Sequence, residues 1–358
     1  MNETFFITGA TGFIGRRLAR RLVESGKRAR CLARSTSRRE ELAALGVEFV
    51  DGDLNDLDAL RRGAEGCAGV FHAAGLTREL RKGDFMAVNC VGTRNVAQAC
   101  VDAGTPRLVA VSSLAGAGIA PKASSDAPND EATYAPYRLR REFDLPKPIS
   151  PYGKSKLASE RALLEFADKL EITVLRPPYV FGEGDLLSLE LFKMAKQKGI
   201  MVLPGYIDCY YSFVYVDDLV EIMVAAAERG ERLDQNSLTP DATGSRCSGK
   251  GVYFPAGPTN LRFSEFGLAI GRAFGRKKIA TIKIPPMGVL GTGVYGEIYK
   301  AVTHKYAALD WNKAVEAVRG PWICSGEKAI RELGVSIEPG LDEKIAIAAR
   351  WYESAGLL

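Results

Sequence analysis

Tyr152 and Lys156 stand in the run Tyr152-Gly153-Lys154-Ser155-Lys156, a spacing that on a helix puts both side chains on one face, one turn apart. A phenol with an ordinary pKa of about 10 is a poor proton donor at neutral pH, and a neighbouring ammonium together with a cationic nicotinamide lowers it. The pair is therefore suited to giving a proton to a carbonyl oxygen, or taking one from an alcohol, while a hydride moves. Ser113 closes the strand Arg107-Leu108-Val109-Ala110-Val111-Ser112-Ser113 and is placed to hydrogen-bond that oxygen. Lys156 is placed in addition to hold a nicotinamide ribose. By itself the Tyr152/Lys156 spacing also describes ordinary helix surface; it gains meaning from a hydride carrier elsewhere in the chain.

That carrier has a cradle at the N-terminus. Thr4-Phe5-Phe6-Ile7-Thr8 reads as a strand, Gly9-Ala10-Thr11-Gly12 as a tight loop, and Phe13-Ile14-Gly15 onward as a helix with Ile14, Leu18, Leu22 and Val23 at helical spacing. Gly9 permits a sharp turn, Gly12 lets backbone N–H groups approach a pyrophosphate, and Gly15 permits close helix packing. The helix N-terminus adds unpaired donors and a partial positive charge for the anion. About 20 residues past such glycines an NAD site places an acid for the ribose 2′-hydroxyl. Here the neighbourhood reads Arg34-Ser35-Thr36-Ser37-Arg38-Arg39, with no carboxylate before Glu40. Guanidinium groups bind a 2′-phosphate with charge-assisted hydrogen bonds, so Arg34 and Arg38 point to NADP(H) rather than NAD(H). Asp53 is placed to accept from the adenine amino group, or else Asp53 or Asn55 caps a helix.

The elements that carry these groups alternate. Strands near 29–34, 47–53, 69–74 and 107–113 are separated by helices near 39–45, 57–62 and 85–103, followed by a helix over 151–170 and a strand over 172–176. Short apolar strands between helices give a doubly wound parallel α/β sheet, with ligands at the carboxyl ends of its strands. The stretch 115–150, rich in Pro and charged residues such as Pro121, Asp126, Pro128 and Arg140, reads as a lid or a disordered loop, and 233–251 as a polar excursion. The chain of 358 residues fits one large domain, 1–176 plus about 213–232, with a smaller substrate lobe from about 177–212 and 250–340 and a C-terminal helix over about 341–355.

Composition excludes several classes. The net charge of +5 is mild, and the cluster Arg16, Arg17, Arg20 and Arg21 lacks interleaved aromatics, so it reads as the wet face of the first helix and not as a nucleic-acid patch. Seven scattered cysteines without a Cys-x-x-Cys pair, and only His72 and His304, predict a reducing, cytoplasmic setting and no metal site. No stretch is long enough to span a membrane, and the sequence leaves open whether 284–299 touches a membrane surface.

Beyond the glycine loop, Asp51-Gly52-Asp53-Leu54, His72-Ala73-Ala74-Gly75, Asn89-Cys90-Val91-Gly92-Thr93, Val111-Ser112-Ser113, Leu175-Arg176-Pro177-Pro178-Tyr179-Val180 and Val214-Tyr215-Val216-Asp217-Asp218 resemble, in order, the marks of an extended short-chain dehydrogenase/reductase with a Rossmann domain. This group includes NAD-dependent epimerases and dehydratases, 3β-hydroxysteroid dehydrogenases and dihydroflavonol reductases. The resemblance implies that Ser113, Tyr152 and Lys156 are the catalytic trio. It implies a cofactor site at Gly9, Thr11, Gly12, Phe13, Ile14, Gly15, Leu54, Ala73, Ala74 and Gly75, with Pro178 and Val180 at the carboxamide. The family commonly dimerises through helices matching 85–103 and 151–170, so a homodimer is allowed.

Departures from the family narrow the reaction. Dehydratases follow their hydroxyl residue with an Asp-Glu pair, where this chain has Leu114-Ala115. Nucleotide-sugar epimerases carry Asn and Arg where this chain has Tyr179 and Tyr211, and they retain NAD. Arg34 resembles the dihydroflavonol reductase-type placement. The expected substrate walls are Leu114, Tyr179, Leu187 and Tyr211, with Phe181, Leu186, Tyr210 and residues of 286–299 as further candidates, a mainly apolar set. The leading expectation is an NADP(H)-dependent oxidoreductase that interconverts a ketone and a secondary alcohol on a steroid, terpenoid, flavonoid or acyl substrate. An NAD-dependent nucleotide-sugar epimerase and a non-catalytic NADP-sensing protein are the alternatives.

Overall fold

The computed structural model describes residues 3–123, 133–307, 309–337 and 340–358; Asp126 and Pro128 of the 115–150 stretch lie outside them. The first half alternates strictly: β1 Thr4–Thr8, α1 Phe13–Glu24, β2 Arg28–Ala33, α2 Glu40–Ala44, β3 Glu48–Asp51, α3 Leu57–Ala64 and β4 Gly69–His72. A π-helical turn, Met86–Val91, leads into α4 Gly92–Asp102, followed by β5 Arg107–Val111, the short α5 Leu114–Ala117, α6 Pro151–Leu164 and β6 Glu171–Leu175. β7 Tyr179–Phe181, α7 Leu189–Lys193, β8 Ile200–Pro204, β9 Tyr210–Tyr215 and α8 Val216–Arg229 come next. The chain closes with β10 Val252–Tyr253, β11 Asn260–Arg262, α9 Phe263–Ala273, β12 Ala280–Ile284, α10 Pro286–Thr303, α11 Trp311–Ala317, α12 Glu327–Leu333 and α13 Leu341–Ser354.

The main sheet has seven parallel strands in the order β10-β6-β5-β4-β1-β2-β3. Strand order reverses between β1 and β4, and this is where a doubly wound sheet opens a crevice beyond its strand ends. β1, β4 and β5 are buried along their whole length, because helices cover both faces. One face packs α1 and α8 through Leu18, Leu22, Leu219 and Met223, and the other packs α3, α4 and the end of α6 through Leu60, Val96 and Leu163. Val252–Tyr253, read from sequence as part of the substrate lobe, instead extends the main sheet beside β6.

A second core joins β7, β9, α9 and α13 through an aromatic group in which Phe213 and Phe266 stack with centroids 4.3 Å apart. β7, β9 and β11 form a three-stranded sheet, and β8 pairs with β12 in a separate two-stranded one.

Two expectations are corrected. The arginines of α1 are not simply a wet face: Arg17 pairs with Asp217 and Glu183, and Arg21 with Glu221, so they tie α1 to α8 and to the turn after β7. The described parts of 115–150 are not a loose lid. The Arg140 guanidinium donates to the carbonyls of Ile119 and Leu145, Arg140 N–H donates to Ile323, and the Glu142 carboxylate accepts from Phe254 N–H. Backbone polar groups that would strand a buried loop are satisfied in this way.

Candidate active site

The glycine loop is shaped by steric necessity at two positions. Gly9 has φ of +74°, and a Cβ there would come within 2.5 Å of Ala74 N; a Cβ on Gly15 would lie 2.2 Å from the Gly9 carbonyl oxygen. The turn is thus pressed against the backbone leaving β4, and α1 against the turn. Beyond them opens a cleft of about 580 Å³ lined by Gly9, Gly12, Phe13, Ile14, Gly15, Ala73, Gly75, Tyr152, Lys156, Pro178 and Val180 among others. Its dimensions and the backbone approach at its floor fit a dinucleotide.

Of the other residues expected there, Ala74 backs the Gly9 turn without facing the cleft, and Thr11 is half-buried in the loop outside the lining. Leu54 packs where a Cβ on Gly92 would fall, 2.8 Å away. Sequence reasoning missed Leu76, Thr77, Arg78 and Leu309, which line the same cleft from segments without a motif.

An open depression at the carboxyl ends of β2 and β3, where the sequence places the adenine, is lined by Arg34, Ser35, Thr36, Asp51, Gly52, Asp53 and Asp56. Three carboxylates there oppose a 2′-phosphate at first sight. Two of them are engaged: Asp51 by the Arg39 guanidinium and Asp56 as the cap of α3, where it accepts from Ala59 N–H at 2.9 Å. The cap is thus Asp56, neither Asp53 nor Asn55. Arg39 also lies over the Phe49 ring, so of the three arginines after β2 it is Arg34 that lines the depression. Arg38 is exposed outside the lining.

Tyr152 and its neighbours are positioned by three helices, α5, α6 and α11. Ser150 caps α6, accepting from Gly153 N–H at 3.0 Å, and Pro151 occupies the first turn. A Cβ on Gly153 would lie 2.3 Å from the Ala115 carbonyl oxygen, so glycine is required for α6 to seat on α5. Ser113 caps α5, accepting from Ala115 N–H at 3.1 Å, and hydrogen-bonds Tyr152. The Lys156 ammonium is buried and donates to the Val111 carbonyl at 2.7 Å. Burial pulls its pKa down to about 8.

The third helix, α11, was invisible as a site element. Asn312 Oδ1 accepts from Tyr152 N–H at 2.9 Å, and Glu316 Oε1 accepts from the Ser150 hydroxyl at 2.6 Å. The Lys313 ammonium, paired with Glu316 at 2.9 Å, sits 5.1 Å from the centre of the Tyr152 ring. Burial pushes the Tyr152 phenol up, while the Lys313 ammonium and the Ser113 hydrogen bond pull it down. The acidification expected from Lys156 is corrected: the cation that lowers the phenol is Lys313, on a short helix that begins Trp311-Asn312-Lys313, and burial outweighs it. Asp310 caps it, accepting from Lys313 N–H.

A second cavity, about 240 Å³, lies over Ser113 and Tyr152 and is lined by Leu114, Pro178, Tyr179, Tyr211, Phe263, Lys313, Glu316 and Trp322, among others. Leu114, Tyr179 and Tyr211 are brought together there. Leu187 is not: it lines the dinucleotide cleft. Phe181 is wholly buried in the second core, Leu186 is exposed outside both cavities, and Tyr210 packs edge-on against Tyr134. Residues 286–299 do not reach the cavity, because α11 stands between. His72 has a structural role, held between the hydroxyls of Thr8 and Thr93 at 2.6 and 2.9 Å, with burial driving its pKa down to about 3. Asp217 and Asp218 of the Val214–Asp218 mark pair with Arg17 and Lys344. They fasten helices and contribute nothing to the cleft lining.

Residues 5–238 match the family model described as the NAD dependent epimerase/dehydratase family. Among curated relatives, "Ceramide reductase" of Caulobacter vibrioides is 28% identical over 352 residues, covering 98% of this chain and 95% of that protein. "Sterol demethylase protein B" of Methylococcus capsulatus is 30% identical over 253 residues, covering 68% and 71%. In other relatives the match spans as little as 58% of the relative's own length. The solved UDP-glucose 4-epimerase of Thermotoga maritima with UDP-glucose superposes with a TM-score of 0.72 at 20% identity, covering 98% of this chain and 99% of that one, a likeness of fold.

Proposed function

The chain belongs to the NAD dependent epimerase/dehydratase family, within the extended short-chain dehydrogenases/reductases, and from that premise we propose that it is an NADP(H)-dependent reductase interconverting a ketone and a secondary alcohol on a mainly apolar substrate. The observation that carries this reading is the cavity over Ser113 and Tyr152, whose walls are chiefly aromatic, aliphatic and prolyl. Where an epimerase carries a diphosphate-binding arginine, Tyr211 presents a phenol, and where a dehydratase carries an acid pair, Leu114 and Ala115 pack into the core. Two relatives named for ceramide and sterol chemistry favour a lipid-like substrate.

NADP(H), when bound along the cleft, supplies or accepts the hydride. The chain's own residues do the rest. Ser113 donates to the substrate oxygen and so fixes its position beside Tyr152. The Tyr152 phenol gives its proton to that oxygen in reduction and recovers it in oxidation. Lys156, anchored on the Val111 carbonyl, is within the cleft wall where the ribose would lie. Lys313 faces the phenol from the substrate side and stabilises the phenolate that each turnover forms. Apolar walls exclude water from the transfer.

Turnover with NADPH across ketones of increasing chain length, with UDP-sugars as the contrasting set, tests the assignment. Preference for UDP-sugars together with retained NAD would reassign the chain to the epimerases. Arg34→Ala is expected to weaken NADPH binding by about tenfold or more while leaving NADH affinity unchanged, since a charged hydrogen bond contributes roughly 1.5–3 kcal/mol; titration of both coenzymes by fluorescence reads the difference. Lys313→Met is expected to move the phenol-dependent limb of the kcat pH profile toward higher pH, in either direction of reaction. Lys313→Arg should restore its position. A fall in kcat at an unmoved limb would reduce Lys313 to a packing role.

A further inference from the structure

α10 reverses the usual arrangement of a surface helix. Its inner side consists of Val289, Gly293, Gly296 and Lys300, and the two glycines allow the close approach: a Cβ on Gly293 would stand 2.6 Å from the Ala314 Cβ, and one on Gly296 would stand 2.1 Å from the Leu309 carbonyl oxygen. Most of its large apolar side chains, Val289, Leu290 and Tyr299 apart, point away from the protein. Met287 is 85% and Val302 75% exposed, and Val294, Tyr295 and Ile298 between them are also exposed. Positions 287, 291, 294, 295, 298 and 302 lie along one stripe, and with Gly291 at the remaining position no polar side chain interrupts it.

The stripe continues onto a neighbouring turn. β12 runs parallel to β8 with Ile284 opposite Pro204, and Gly205 N–H donates to the Ile284 carbonyl at 2.8 Å. Tyr206 and Ile207, the latter 77% exposed, therefore emerge beside the entry to α10. A continuous apolar surface of this kind, as opposed to scattered single residues, marks a contact with something else.

Charge identifies the partner. Between residues 276 and 306 the cations are Arg276, Lys277, Lys278, Lys283, Lys300 and Lys305, against the single carboxylate Glu297. Glu297 is itself engaged by Lys300 at 2.9 Å and by Trp311 N–H. Lys277, Lys278, Lys283 and Lys305 are exposed at the two ends of the apolar surface. Two copies of this face would bring like charges together, whereas an anionic surface attracts them. Tyr206, Tyr295 and Tyr306 have the apolar body and polar tip that suit a water–lipid boundary. Among the described residues no helix is long and apolar enough to cross a membrane, so the helix lies in the interface plane.

We propose that α10 and the turn at Tyr206 and Ile207 dock onto an anionic lipid surface. α11, the helix beneath, supplies Lys313 and Glu316 to the substrate cavity, so docking presents that wall of the cavity to the lipid side. The proposal goes beyond the reductase reading and does not require it, because vesicle binding needs no turnover.

Flotation of the full chain with phosphatidylcholine vesicles, with and without phosphatidylglycerol, tests it. The wild-type chain should float with the mixed vesicles and be released by raised salt. Val294→Ser/Tyr295→Ser/Ile298→Ser should lower partition at least about tenfold, from the apolar area removed. Lys277→Glu/Lys278→Glu, on the segment before β12, should lose the preference for phosphatidylglycerol and serves as a second variant should the first unfold, which circular dichroism melting reports. Failure of the wild-type chain to float with mixed vesicles overturns the proposal. So does undiminished flotation of both variants, and so does a wild-type dimer that the triple variant turns into monomer without lipid binding, which would assign the face to a second copy.

Discussion

Tyr152→Phe is expected to lower kcat by roughly a hundred- to ten-thousandfold, the range of a positioned general acid, while NADPH affinity stays close to that of the unaltered chain. The separation follows from the geometry. The ring sits against Phe85 with centroids 5.6 Å apart, and its position is set by the backbone bond to Asn312 and the cap at Ser150. None of these involves the hydroxyl, so the phenylalanine ring should occupy the same place. What disappears is the one group that bonds Ser113 and faces the substrate cavity. Stopped-flow measurement of hydride transfer with a reactive ketone, alongside coenzyme titration, distinguishes loss of chemistry from loss of binding. Retained turnover would remove Tyr152 from its assigned role, and a parallel loss of NADPH binding would show that the hydroxyl serves the cleft instead.

Glu160→Leu should cost about 3–5 kcal/mol of folding stability, the usual result of stripping the partner from a buried charge. Glu160 on α6 and Arg176 after β6 are both essentially without solvent contact, with two hydrogen bonds at 3.0 and 2.6 Å between them. Ser112 donates to the same carboxylate, and the guanidinium lies over the Phe254 ring. Arg176 Nη1 has no partner among the described residues, so the network is already one bond short. With Glu160 gone, the guanidinium would lose both carboxylate hydrogen bonds and keep only the weaker influence of Glu142 in a medium that solvates it poorly. Urea unfolding should show the midpoint fall. Glu160→Leu combined with Arg176→Met should recover much of the loss, because an apolar pair of similar volume carries no desolvation penalty. No recovery in the double variant would mean that the network stabilises the fold in its own right.

The parts of the molecule legible in the sequence are those fixed by local chemistry. β1, the glycine turn and α1 announce themselves because a steric requirement at Gly9 and Gly15 coincides with a helix period, and the central strands because burial on both faces forces continuous apolar runs such as Leu108-Val109-Ala110-Val111. The substrate side was harder to read. Phe181 and Tyr179 stand two apart on one short strand and so share a face, and both pack on the second core. Only Tyr179, at the start of the strand, also reaches the cavity, and no local pattern tells the two apart. Lys313 and Glu316 meet Tyr152 and Ser150 only through tertiary packing of a seven-residue helix, and no local pattern encodes that. The 286–299 segment was read as a candidate wall because it is apolar, and the glycines that let it lie flat on α11 could not be separated by spacing from glycines that end a helix.

The bonds from Asn312 to Tyr152 and from Glu316 to Ser150 bridge 160 and 166 positions. A chain emerging from the ribosome therefore has its glycine turn long before the clamp that orients the phenol exists. The same late stretch carries Leu309 and Lys313 of the cleft wall, so the place for a coenzyme and the groups that fix Tyr152 are completed together, when residues past 300 fold back across the first half.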